Sequence, residues 1–148
     1  MKRQAYTMIA MIVLVGSMAV AARAQTSGRT QLVADIPFQF SAGNQTLPAG
    51  EYTVLAVNAD SSNVALKIQS RDGKSSALVQ MITVTGKTQE SAKLIFNRYG
   101  NHYFFAQAWV DGENGGLQAP KARSERAAER ELAGIKMATE SVALSSRR

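Results

Sequence analysis

His102 is the only histidine in the 148-residue chain. It stands in Arg98-Tyr99-Gly100-Asn101-His102-Tyr103, next to a Gly-Asn pair. One imidazole is a candidate general base, but it excludes any multi-histidine metal site. No Gly-x-Ser-x-Gly elbow accompanies it, and a Ser/His/Asp set assembled from scattered residues carries no weight without geometry. There is no cysteine, which removes thiol nucleophiles, Cys-ligated metals and a disulfide framework. Asp111, Glu113 and Asn114 offer oxygen ligands for calcium, yet their spacing does not match an EF-hand loop, and a solvated turn accounts for them. Gly112, Gly115 and Gly116 fit no phosphate-cradling pattern. Among the 11 acidic residues no pair stands out for glycoside hydrolysis. No catalytic, cofactor-binding or metal-binding residue is assigned, and the chain is expected not to be an enzyme.

The remaining chemistry is recognition. Arg98, Tyr99, His102 and Tyr103 cluster at one turn and form the candidate contact surface. Aromatic rings beside a guanidinium suit a carbohydrate or polymer platform, whereas aromatics in strands more often fill a core.

These residues lie on the strongest local pattern of the chain, AKLIFNRYGNHYFFAQAWV (92–110). Two aromatic-rich strands flank Gly100-Asn101, a two-residue hairpin turn. That turn pairs Tyr99 with His102, Phe96 with Phe105 and Ala92 with Trp109. Leu94, Phe96, Tyr103, Phe105 and Trp109 then share a core face, with Arg98 and Gln107 at its rim. Lys93, Ile95, Asn97, Tyr99, His102 and Phe104 take the other face, and a one-residue slip would exchange the two.

Further strands alternate in the same way. Ile36, Phe38 and Phe40 share a face, with Pro37 confining that strand to an edge or a beginning. Leu47 to Gly50 is a turn, after which Tyr52 and Val54 restart the alternation, so 36–54 reads as one long-looped hairpin. Val64, Leu66 and Ile68 form a stripe, an Asp72-Gly73 turn follows, and 77–85 is β-branched and apolar. From Pro120 the composition turns to Ala, Glu and Arg, good helix formers. Ala128, Leu132, Ile135 and Val142 follow a helical stripe. Mixed charges at three- and four-residue spacing suit a solvated helix.

The expected fold is mainly β, an antiparallel meander of about six strands forming a small barrel or sandwich, with a C-terminal α-helix. The expected divisions are a signal peptide (1–24), a flexible N-terminus (25–33), a β domain (34–118), a C-terminal helix (119–143) and a disordered tail (144–148).

The signal peptide rests on Lys2 and Arg3, the apolar run Met8 to Ala22, and Ala22-Arg23-Ala24 as the cleavage pattern. A membrane span needs about 20 apolar residues, and no later run is long enough. Export to the periplasm or the exterior follows, with no transmembrane segment in the mature chain. Lys2, Arg3 and Arg23 leave with the signal and no acid does, so 17 basic residues become 14 against 11 acidic ones. The high isoelectric point is partly the signal's, and no nucleic-acid partner is inferred from it.

Three stretches together, IPFQFSAGNQTLPAGEYTV (36–54), AKLIFNRYGNHYFFAQAW (92–109) and PKARSERAAEREL (120–132), resemble a family of small exported acidobacterial proteins with IPF-x-F, LPAG-x-Y and RYG-x-x-YF motifs. The last stretch departs slightly from the family's tighter basic run. The resemblance implies export and a β-rich fold, and implies no activity. The leading functional expectation is a non-catalytic exported protein associating with an envelope component or an extracellular polymer. The alternatives are a small secreted hydrolase and a small-ligand carrier. A barrel interior needs about eight strands before it holds even side chains comfortably, so about six strands leave little room for an internal ligand unless two further strands are present.

Overall fold

A computed structural model describes residues 31–60, 63–134 and 136–147. The signal-peptide segment 1–24 and residues 25–30 lie outside the described residues. The chain is mainly β and folds into a nearly closed barrel, with one short helix among the described residues.

The strands are β1 (Gln31–Ile36), β2 (Phe40–Ala42), β3 (Gln45–Leu47), β4 (Gly50–Val57), β5 (Ala65–Ser70), β6 (Ser76–Gln80), β7 (Ile82–Thr85), β8 (Lys93–Tyr99), β9 (His102–Trp109), β10 (Gly115–Gln118) and β11 (Ala138–Arg147). The helix α1 spans Arg123–Glu131. β1, β4, β5 and β6 form one antiparallel meander, and β8, β9 and β10 form a second. Two joints link them. β11 pairs antiparallel with both β8 and β1, and β10 pairs antiparallel with β7.

β6 and β7 act as one bent stave. Ala77, Val79 and Met81 are buried on the inner face, and the alternation continues to Thr83, opposite Leu117. Met81 sits at the bend and donates its N–H to Val64 O (2.8 Å). The wall therefore has eight staves, in the order β1, β4, β5, β6/β7, β10, β9, β8 and β11. The small β2–β3 hairpin joins β9 by a parallel bridge, Ser41 to Phe104, and lies against β6.

Four expectations are corrected. Among the described residues the strands number eleven, because short pieces such as β3 and β10 carry too little alternation to be counted. The helix does not fill 119–143. It ends at Glu131, and Ala138–Arg147 is a strand. TESVALSS (139–146) alternates at period two as well as it fits a helix, and two open strand edges, β8 and β1, settle the choice by tertiary pairing. The expected tail and flexible N-terminus meet in the same ladder, with Gln31 opposite Arg147 and Ala34 opposite Leu144. Finally, 36–54 is not one long-looped hairpin. β1 and β4 do pair, Ala34 opposite Tyr52, but the connection between them is not a loop: it folds as the β2–β3 hairpin, which packs on β9.

The β8–β9 hairpin keeps its expected register at the tip, with Tyr99 opposite His102 and Phe96 opposite Phe105. A β-bulge then intervenes, so Trp109 faces Lys93 rather than Ala92. The extra residue inverts the faces beyond it. Leu94, Phe96 and Phe105 point inward as expected, but Ala108 takes the inward place and Trp109 turns to the outer face, opposite Gly116. There its ring lies flat on backbone. A Cβ added to Gly116 would stand 2.6 Å from the indole, and one added to Gly86 2.7 Å.

Gly116→Ala should therefore destabilise the fold by about 1–3 kcal/mol, the usual range for overpacking. Urea unfolding followed by the emission of Trp109, the only tryptophan, gives the value; a midpoint equal to wild type would refute the packing described.

Candidate functional site

The two ends of the barrel are filled differently. At one end the inward positions carry rings. Phe96 meets Phe38, Phe40 and Phe105 edge-on at centroid distances of 5.1, 5.3 and 5.9 Å, and Phe40 meets Tyr52 at 5.3 Å. Phe38, on the turn between β1 and β2, stacks on Tyr103 at 3.9 Å. The Arg98 guanidinium lies 5.4 Å from the Tyr103 centroid, donates to Gly100 O (2.8 Å) and pairs with Glu140 (3.3 Å). This end is plugged.

At the other end the inward positions are small or aliphatic: Leu32, Ala56, Thr83, Ala108, Leu117 and Leu144. They surround an apolar cavity of about 360 Å³. Val54, Val64 and Leu66 continue its wall. The cavity opens where β7 runs past the end of β5. Ile82 to Thr85 pair on one side with β10, and Thr83 is exposed although it faces inward. The β9–β10 connection contributes Val110 and Glu113 to the lip.

The sequence-predicted contact residues lie at the plugged end, and the structure does not bring them onto one surface. Tyr99 is 2% exposed. Its hydroxyl donates to Glu125 Oε1 (3.3 Å), which also accepts from Asn97 Nδ2 (2.9 Å). Tyr99 thus anchors α1 to the outer face of β8 rather than meeting a partner. Arg98 and Tyr103 are half-buried in the plug. Only His102 is exposed, on a depression of about 270 Å³ that it shares with Gln39, Ser41, Thr46 and Asn101. No carboxylate is among the described residues lining that depression. Near the same end, Glu51 and Arg71 pair at 3.4 Å across a polar hollow, and the Tyr52 hydroxyl donates to Pro48 O (2.5 Å), pinning the Leu47–Gly50 turn.

The cavity residues were missed because each is unremarkable alone. Ala56, Ala108 and Thr83 mark a hollow only once they are known to share one inner layer. Half of that knowledge depends on the β9 bulge and on β11. Among the described residues no group of three or more His, Cys, Asp or Glu could hold a metal ion, and no helix is long and apolar enough to cross a membrane.

No family model, curated protein or solved structure matches the chain.

Two tyrosines make the fold sensitive to alkali. Burial pushes the Tyr99 hydroxyl above its ordinary value of 10.0, the Glu125 carboxylate adds to the shift, and Lys121 opposes it. Burial, then the Asp72 charge, raises Tyr52 likewise. A raised folded value means that the native state holds the proton more tightly. The stability is fully present below about pH 10, the unfolded tyrosine value, and is lost as pH rises through the folded values. Urea midpoints across this range should fall for wild type and fall less for Tyr99→Phe. Glu125→Ala, which leaves the buried Tyr99 hydroxyl and the half-buried Asn97 amide without their acceptor, should cost about 1–3 kcal/mol at neutral pH. Glu125→Gln keeps an acceptor and should cost less; equal costs would show that the acceptor is not what matters.

Proposed function

We propose that this chain is an exported, non-catalytic binding protein for a small apolar ligand held in the open end of the barrel. One observation carries the proposal: the inward layer at that end is small and aliphatic, and it encloses about 360 Å³ while the opposite end is packed with rings. Small-molecule sites are concave, mostly apolar and usually preformed, with volumes of about 300–1,000 Å³. Eight staves are the number at which a barrel interior can hold one small ligand. The export half of the proposal rests on the Lys2-Arg3, Met8-to-Ala22 and Ala22-Arg23-Ala24 pattern.

The other readings have less support. An envelope or polymer contact at the hairpin tip would have to rely on His102, since Tyr99 is committed to Glu125, Arg98 to Gly100 and Glu140, and Tyr103 to its stack on Phe38. A hydrolase would need an acid near His102, and its depression is lined by amides, hydroxyls and rings.

The test is titration of the mature protein with N-phenylnaphthylamine, a neutral apolar dye whose emission rises on leaving water. Saturable one-to-one binding is expected. Ala56→Phe and Ala108→Phe each place a ring in the cavity and should weaken binding at least roughly ten-fold while far-UV circular dichroism stays native. Absence of saturable binding to wild type, or undiminished binding to both folded variants, overturns the proposal.

A further inference from the structure

We infer that the ligand carries a neutral or cationic head on its apolar body, and that Glu113 selects against an anionic head; the inference rests on the apolar-ligand reading above. Among the described residues lining the cavity, Glu113 is the only ionisable one. The rest are aliphatic or small, apart from Trp109 and the Thr83 hydroxyl.

Glu113 is placed by backbone bonds rather than by its own side chain. Its N–H donates to Val110 O (3.5 Å), and its carbonyl accepts from Gln89 N (3.0 Å). Gly112 N donates to Gln89 O (2.9 Å), and Gly86 N to Asn114 O (2.8 Å). These bonds tie the β9–β10 connection to the β7–β8 connection and fix the lip. The Glu113 carboxylate takes part in none of the ion pairs among the described residues, which join Arg71 to Glu51, Arg98 to Glu140 and Lys121 to Glu129. The residue is exposed at the lip, so its unpaired charge faces solvent and anything that enters the cavity.

Asp111 stands on the same connection, Lys87 on the facing one, and Lys93 lies opposite Trp109 on the outer face; none of the three lines the cavity. A ligand seated with its apolar body inward must bring its polar head to this lip. A carboxylate there meets a like charge across an exposed lip, a repulsion that water and salt partly screen, whereas an ammonium or a hydroxyl finds an acceptor.

The experiment is isothermal titration of the mature protein at neutral pH and low salt with octylammonium, octanol and octanoate, which share one chain and differ only in the head. The expected order is octylammonium tightest, octanol next and octanoate weakest, with roughly a ten-fold spread between the ions. Glu113→Gln should collapse that spread and leave octanol unchanged. Octanoate binding as tightly as octylammonium, or a spread that survives Glu113→Gln, overturns head selection while leaving the cavity reading intact. Failure of all three to bind, octanol included, overturns the cavity reading itself.

Discussion

The barrel depends on one strand pairing twice. β11 hydrogen-bonds to β8 along one side and to β1 along the other, and these are the outer edges of the two meanders. Without it β1 and β8 would each present a row of free N–H and C=O groups, and the interior would open along its whole length. β11 supplies Val142 and Leu144 to the inside. It also supplies Glu140, whose pairing with Arg98 helps cap the plugged end. The strand is the last of the described strands and pairs with the first of them, so closure waits on contacts far apart in sequence, which are slow to form.

Once the wall is closed, its alternation divides every stave into inner and outer residues, and the inner residues decide where the interior is solid. Phe96, Phe40, Tyr52 and Ile36, all at most 1% exposed, fill one half. Ala56, Ala108 and Thr83 leave the other half hollow. The β9 bulge belongs to the same arrangement. Without it Trp109 would point inward beside Leu32 and Leu144 and would fill the mouth. The bulge moves the indole to the outer face, where Gly86 and Gly116 make room for it, and puts Ala108 in its place.

How far this was legible in the sequence depends on the reach of the interaction. The tip of the β8–β9 hairpin was legible because two residues, Gly100 and Asn101, set its register locally, and Gly100 does take the positive φ (59°) that such a turn uses. The core identities of Leu94, Phe96 and Phe105 followed from that register. The inversion at Trp109 did not, because nothing in FFAQAW says which residue the bulge takes up. The C-terminal strand was hidden for a related reason. ATESVALSSR holds residues that suit either element, and the partners that decide for a strand lie 40 or more residues away in the chain. The contact surface failed at Tyr99 because its cover, α1, packs by one buried acid, Glu125, on a helix whose other charges face water. A stripe of apolar residues would have announced that packing; a single glutamate does not.

The hollow end also carries an argument from stability. Apolar space left unfilled loses the dispersion contacts that larger side chains would make, and leucine or phenylalanine in place of Ala56 or Ala108 would recover some of them. The plugged end shows that this barrel accepts rings at inward positions on the same staves, β4 and β9, where Tyr52 and Phe105 sit. The small residues are therefore not imposed by the width of the barrel. A local departure from dense packing, in a chain that packs densely one layer away, is the kind of inconsistency that supports the proposed ligand site. Glu113 stands at the lip of that hollow as the one ionisable residue among the described residues lining it. Exposed on a loop, it adds nothing to the packing of the core, and in the proposed reading its charge is what would bias the occupant.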